Sequence, residues 1–188
     1  MKGQRRYVPL AILMGATLGV ELWADWCHRE QRPFLWLYNV FVIIEYSLLC
    51  WYFIGVSTRA VIRRFIGWSI PVFAVISIVV SFQLYNFRDF PGQNINIEGM
   101  LITVLCVSVL FNLDSRLYKN ITRHPDFWIC CGWLVFYAGT FFSNGLLSYL
   151  MNQNLDYAEK VFEILNRPLN LILYSCLIVG LICALLRK

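Results

Sequence analysis

The sequence predicts an all-α integral membrane protein, a bundle of six transmembrane helices with amino and carboxyl termini both inside. Three observations predict it. The 188 residues are 59% hydrophobic and only 14% charged, with a mean hydropathy of +0.61, whereas an ordinary soluble domain is roughly 25% charged. Six stretches reach the length of about 20 apolar residues that a helix needs to cross hydrocarbon. Lys and Arg also gather on alternate connections, as orientation by positive charge requires. This composition argues against a disordered chain, a secreted disulfide scaffold and a nucleic-acid binder, despite the net charge of +5.

The first span, Tyr7–Trp26, follows Lys2, Arg5 and Arg6. It is too long for a signal-peptide core and ends in Glu21, Trp23, Asp25 and Trp26 without a small-x-small cleavage site, so it reads as a retained helix. Its Ala11, Gly15 and Gly19 lie four apart on one face, which lets a second helix approach closely. The expected use of that face is packing inside the bundle; the alternative is docking to another protein or a second copy. At the far end, Glu21, Asp25 and Arg29 repeat every four residues. They read as a solvated helix end with an i,i+4 ion pair, or as a charged outer rim to a polar cavity.

The second span is Phe34–Val56, with Glu45 at its middle. The third, Phe65–Tyr85, contains Pro71, which is expected to loosen the helix locally. The fourth, Gly99–Tyr118, carries Asn112 and Asp114 near its inner end. The fifth, Phe127–Met151, has a weaker small-residue pair in Gly139 and Ser143, with Gly132 seven residues earlier. The sixth, Pro168–Leu186, opens on a proline at a tolerated first-turn position. Before it, Leu155, Ala158, Val161, Phe162 and Leu165 recur at helical spacing, so residues 152–167 are expected to form an amphipathic surface helix or an extension of the sixth span. No connection is long enough for a water-soluble domain, and residues 1–188 read as a single transmembrane domain.

Charge sets the orientation. With the N-terminus inside, the inner side holds Lys2, Arg5, Arg6, Arg59, Arg63, Arg64, Arg116, Lys119, Arg123, Arg187 and Lys188, and the outer side holds Arg29, Arg32, Arg88, Lys160 and Arg167. An even number of spans returns the basic C-terminus to the same side. Trp23, Trp26, Trp36, Tyr85 and Tyr149 then fall near the outer interface, and Tyr7, Trp51, Trp68, Tyr118 and Trp128 near the inner one, where amphipathic rings are favoured. The inner arginines Arg59, Arg63 and Arg64 read as topology determinants and contacts for anionic membrane lipids.

Glu45 is the costliest residue in this frame. It lies eleven residues from each end of its span, roughly 16 Å from either boundary at helical rise, where an acid costs about 2.5–3.5 kcal/mol on insertion scales. No Lys or Arg lies at comparable depth in another span. A neutral Glu can donate a hydrogen bond to a neighbouring helix, and the candidates are Tyr38 on the same face, Asn39, Thr103, Asn112, Thr140 and Asn144. One reading makes Glu45 an interhelical hydrogen-bond clamp. The other makes it a proton-sensitive or ligand-contacting group, with Glu21 and Asp25 at the outer rim of the same cavity and Asn144 and Asn152 lining it.

No catalytic or metal-ligand pattern is found. The two histidines, His28 and His124, fall on opposite sides of the membrane, and there is no HExxH, GxSxG, Walker A or GxGxxG pattern. The seven cysteines show no CxxC spacing, and deep in a span a thiol behaves as a small apolar group. Neither an enzyme activity nor a cofactor is expected.

Tyr38-Asn39 through Glu45-Tyr46 in the second span resembles the polar-marked second helix of short polytopic membrane proteins of Bacteroidota. His124-Pro125-Asp126-Phe127-Trp128-Ile129, with Gly132, Tyr137, Gly139 and Phe142, resembles their penultimate helix. Such proteins often accompany two-component histidine kinases. The resemblance therefore implies a sensor or accessory subunit of the bacterial inner membrane, with a histidine kinase or a second copy as partner, and brings no catalytic residues. The competing reading is a small transporter or solute-binding membrane subunit. Six spans suit it, but the first three and last three show no internal repeat of the kind many transporters carry.

Overall fold

In the computed structural model six helices are long and apolar enough to cross a membrane. The structure describes residues 5–85, 87, 90–113, 121–151 and 155–186, with backbone only at 85, 145–151, 155–160, 162 and 163, and the described residues contain no strand. The helices are α1 (Val8–Arg29), α2 (Leu35–Val56), α3 (Ala60–Val80), α4 (Gly92–Phe111), α5 (Pro125–Met151) and α6 (Leu155–Leu185). Their outward residues include Phe65, Trp68 and Phe111, which are 79%, 75% and 87% exposed. Rings so open to the surroundings suit hydrocarbon and would be costly in water. The helices fall into two compact units, Met1–Glu98 and Gly99–Lys188.

In the first unit α1 packs on α2 and α2 on α3. The α2 helix is central: 44% of its apolar window is buried, against 28% for α1 and 22% for α3. A 3-10 turn, Arg5–Tyr7, leads into α1, and Pro9 sits in the first turn where no intrahelical donor is lost. The α1 helix ends in a double-bonded reversal. Arg32 N–H donates to Cys27 C=O (2.9 Å) and Gln31 N–H to His28 C=O (3.1 Å), with Gln31 at φ 53°. That is the Schellman geometry, and Pro33 follows it. Glycine fills such a position without strain. Gln31→Gly is therefore expected to raise stability by about 0.5–1 kcal/mol, checked by thermal unfolding in detergent.

Two sequence expectations change here. Pro71 does not interrupt α3, which stays helical through it; the irregularity lies ten residues on, in a π-helical turn at Ser81–Tyr85. The fourth helix begins at Gly92 and ends at Phe111, about one and a half to two turns earlier at each end than Gly99–Tyr118. The reason is its buried row Asn94, Glu98, Ile102 and Cys106. Two of those residues are polar and read as connection, yet all four share one helical face. The expected inner end at Asp114, with Arg116, lies outside the described residues.

In the second unit α5 and α6 run antiparallel and pack closely. A Cβ built on Gly132 would come 2.8 Å from Cys176 Cβ, one on Gly139 2.3 Å from Leu169 Cδ2, and one on Gly180 2.8 Å from Ile129 Cγ1 and 3.0 Å from Pro125 O. Backbones this close need the missing side chains, as in lipid-embedded helix pairs generally. The α6 helix starts at Leu155, so the backbone of the sixth span is extended and Pro168 lies inside the helix instead of opening it. Asn152 and the side chain of Lys160 lie outside the described residues.

Candidate functional site

The polar residues of the first unit divide between the two sides of α2. Helical spacing explains the division. Tyr38 and Glu45 are seven apart and share a face; Asn39 and Tyr46 are also seven apart and lie about 100° further round.

On the α1 side, the Glu21 carboxyl and the Tyr38 hydroxyl lie within interaction range of each other. Glu45, half-buried about ten residues into α2, lies within electrostatic reach of Glu21. Two acids and a phenol from two helices are thus neighbours, Glu21 on the exposed surface of α1 and Tyr38 and Glu45 half-buried on α2. Asp25 is not part of this group. It pairs with Arg29 at 2.7 Å on the exposed surface of α1, an i,i+4 bridge worth a few tenths of a kcal/mol. Both expected rim acids are exposed on α1, and of the two Glu21 is the one within reach of Tyr38 and Glu45.

On the α3 side, the Asn39 side chain is fully buried and its amide donates to Leu35 C=O at 3.3 Å. Its Oδ1 accepts from Ser81 Oγ (2.7 Å). Ser81 Oγ in turn accepts from Asn94 Nδ2 (2.9 Å), whose second hydrogen goes to Ser77 C=O (3.2 Å). The chain Asn39–Ser81–Asn94 therefore ties α2, the end of α3 and the first turn of α4. One layer along α2, Tyr46 OH donates to Ser69 Oγ (2.8 Å) and Ser69 Oγ to Ile66 C=O (2.7 Å). The Tyr46 ring lies 4.3 Å from that of Phe73. Glu98, 1% exposed, is within electrostatic reach of Tyr46 and Cys50. Asn39 is thus a member of this second group, where it was expected as a partner of Glu45.

The other expected site residues lie elsewhere. Asn112 is exposed past the end of α4, and its amide donates to Ser108 C=O of its own helix (2.6 Å). It terminates a helix and faces no polar interior. Asn144, Thr140 and Ser143 are buried on α5 in the second unit. Ser143 Oγ donates to Gly139 C=O (2.9 Å), and Gly139 packs against Leu169. The expected packing face on α1 needs correction. Ala11, Gly15 and Gly19 are exposed, and a Cβ on either glycine would meet no atom within 4 Å. This strip packs against nothing among the described residues, because α1 turns Leu10, Leu13, Ala24 and Cys27 inward instead.

Sequence reasoning missed Ser77, Ser81, Asn94 and Glu98. A usable signal was present. Asn94 and Glu98 continue at four-residue spacing into Ile102 and Cys106, and Ser77 and Ser81 share that spacing at the end of the third span. No family model, curated protein or solved structure matches the chain.

Proposed function

We propose that the chain is a non-enzymatic membrane sensor or accessory subunit in which the Glu21–Tyr38–Glu45 group is the responsive element. The observation that carries this reading is the proximity of two carboxyl groups across the α1–α2 contact, Glu45 within electrostatic reach of Glu21, with Tyr38 beside Glu21. An isolated acid within a span is costly. Two that face each other repel when both are ionised and are drawn together when one carries a proton or both share a cation. The spacing of α1 and α2 then follows the charge state of the group.

The far end of the same helix pair supports transmission. There Tyr7 packs on Tyr52 with ring centroids 6.2 Å apart, and Arg6 lies over the Tyr7 ring at 4.8 Å. The Arg6 backbone lies against Gly55, where an added Cβ would sit 3.7 Å from Arg6 Cα. A displacement at Glu45 is carried along rigid helices to this basic end. The open strip Ala11–Gly15–Gly19 offers a surface on which a second copy or a membrane partner, such as the histidine kinase implied by the resemblance, can dock closely.

Purification in mild detergent at acidic and alkaline pH tests this. The expected result is a stoichiometric membrane partner, or a second copy, held at one pH and released at the other. Glu45→Gln is expected to fold, since the amide keeps a hydrogen-bonding group, and to bind equally at both. A lone chain at every pH, unaltered by the substitution, would overturn the proposal.

A further inference from the structure

We propose that the outward face of α3 is a binding site for one anionic phospholipid, its phosphate held by Arg59, Arg63 and Arg64 and an acyl chain laid along the helix below Trp68. The site needs only the membrane setting of the helices and does not depend on the sensor function proposed above.

Positive charge is concentrated here and left uncompensated. Arg59 is the N-cap of α3, and Arg63 and Arg64 follow within its first two turns. All three are exposed, and the chain holds no acid between Glu45 and Asp89. Among the described residues no carboxylate pairs with them, in contrast to Arg29, which Asp25 neutralises. Packing adds to the cluster. The turn Arg5–Tyr7 lies against the end of α2, with Arg6 beside Gly55, and α2 leads through Ser57 and Thr58 into Arg59. Two basic segments fifty residues apart in sequence thus share one end of the first unit. The guanidinium fork bonds phosphate oxygens in pairs and keeps its charge at any working pH, and unpaired cations at a membrane surface attract anionic lipid.

Below the arginines the helix face passes from charge to indole to aliphatic, in the order in which a phospholipid passes from headgroup to chain. Val61, Arg64, Trp68, Val72, Val75 and Val79 fall within about 80° of one another around the helix. The apolar members of this column are open, from 77% exposed at Val61 to 45% at Val79, while Ile66, Phe73 and Ser77 turn inward. Trp68 stands one turn beyond Arg64, at the depth where an indole ring meets headgroups. From Trp68 to Val79 the helix rises about 16 Å, close to half of a hydrocarbon core roughly 30 Å thick, which is the depth of one leaflet. The column contains no Gly, Ala or Ser to admit a second helix closely, so a flexible chain suits it better than a protein partner. A zwitterionic headgroup would bring its own cation against the arginines, whereas an anionic one brings only the charge they lack.

Native mass spectrometry of the delipidated full-length protein in mild detergent, titrated with phosphatidylglycerol or phosphatidylcholine of the same acyl chains, tests this. One phosphatidylglycerol is expected to bind at least tenfold more tightly than phosphatidylcholine. Replacing Arg63→Gln and Arg64→Gln together is expected to weaken it by about thirtyfold, the attraction of two surface cations, and to leave phosphatidylcholine unchanged. Trp68→Ala is expected to weaken both lipids. These side chains are exposed and unpaired, so the variants are expected to unfold at the parent's midpoint when lipid-free. A photoreactive benzophenone side chain placed at Val72 in intact membranes is expected to capture phospholipid. Equal affinity of the parent chain for the two lipids would overturn the proposal, and this comparison stands even where a variant does not fold. So would undiminished phosphatidylglycerol binding in the double variant, or capture of a second copy or another protein at Val72 in place of lipid.

Discussion

Gly132→Ala and Gly180→Ala are each expected to destabilise the second unit by about 2 kcal/mol, within the usual cost of overpacking. The obstacle at Gly132 is Cys176 Cβ, 2.8 Å from the new methyl, and a Cβ cannot move without its backbone. At Gly180 it includes the Pro125 carbonyl oxygen at 3.0 Å. Gly139 looks tighter, at 2.3 Å, but the atom in the way is a methyl of Leu169, which a rotamer change can remove. Gly139→Ala is therefore expected to cost less than either. Gly15→Ala and Gly19→Ala meet nothing within 4 Å and are expected to be neutral, or to gain up to about 1 kcal/mol from helix propensity. Denaturation of the five variants in mixed detergent micelles checks the ranking. A Gly15 or Gly19 variant as damaging as Gly132→Ala would place α1, not α5, at the tightest helix contact.

Asn94→Leu is expected to cost about 1–3 kcal/mol in the first unit. It removes two buried hydrogen bonds and leaves the Ser81 hydroxyl oxygen without its donor. Interhelical hydrogen bonds within membranes average nearer 0.6 kcal/mol, because the unfolded helices find other partners, so the lower half of that range applies if α4 separates from α3 without losing its own helix. Ser81→Ala breaks the same chain at its centre, cutting Asn39 from Asn94. The double variant is expected to cost less than the sum of the two, with a coupling of about 0.5–2 kcal/mol. A strictly additive pair would mean that the Asn39–Ser81–Asn94 chain does not act as a unit.

The six apolar helices were legible from composition and span length, since hydrocarbon leaves so few ways to satisfy a backbone. The polar interior was legible only where a polar residue stood alone in an apolar run. Glu45 met that condition and Tyr38 shared its face. Asn94 and Glu98 did not, because they lie beside Gly92, Gln93 and Asn96 and looked like a connection. Asn39 was found but given the wrong neighbour: one residue of displacement from Tyr38 turns it about 100° away, toward α3. The Ala11–Gly15–Gly19 strip shows the opposite limit. Its spacing states that a close approach is possible without stating by what, and α1 approaches α2 through its larger residues. Gly132 and Gly180 were hard to rank from sequence, because the atoms that make them indispensable belong to a different helix.

In the proposed sensor, Glu45 and Glu21 set the spacing of α1 and α2 through their shared charge state. Spin labels at Leu18 and Ile44, both exposed on their helices, report that spacing directly in lipid vesicles when introduced by cysteine substitution in an otherwise cysteine-free background. Between acidic and alkaline buffer the distance distribution is expected to change in the protein with both acids, and to remain a single unchanging distribution in Glu45→Gln. One distribution at both pH values with Glu21 and Glu45 intact would contradict the account.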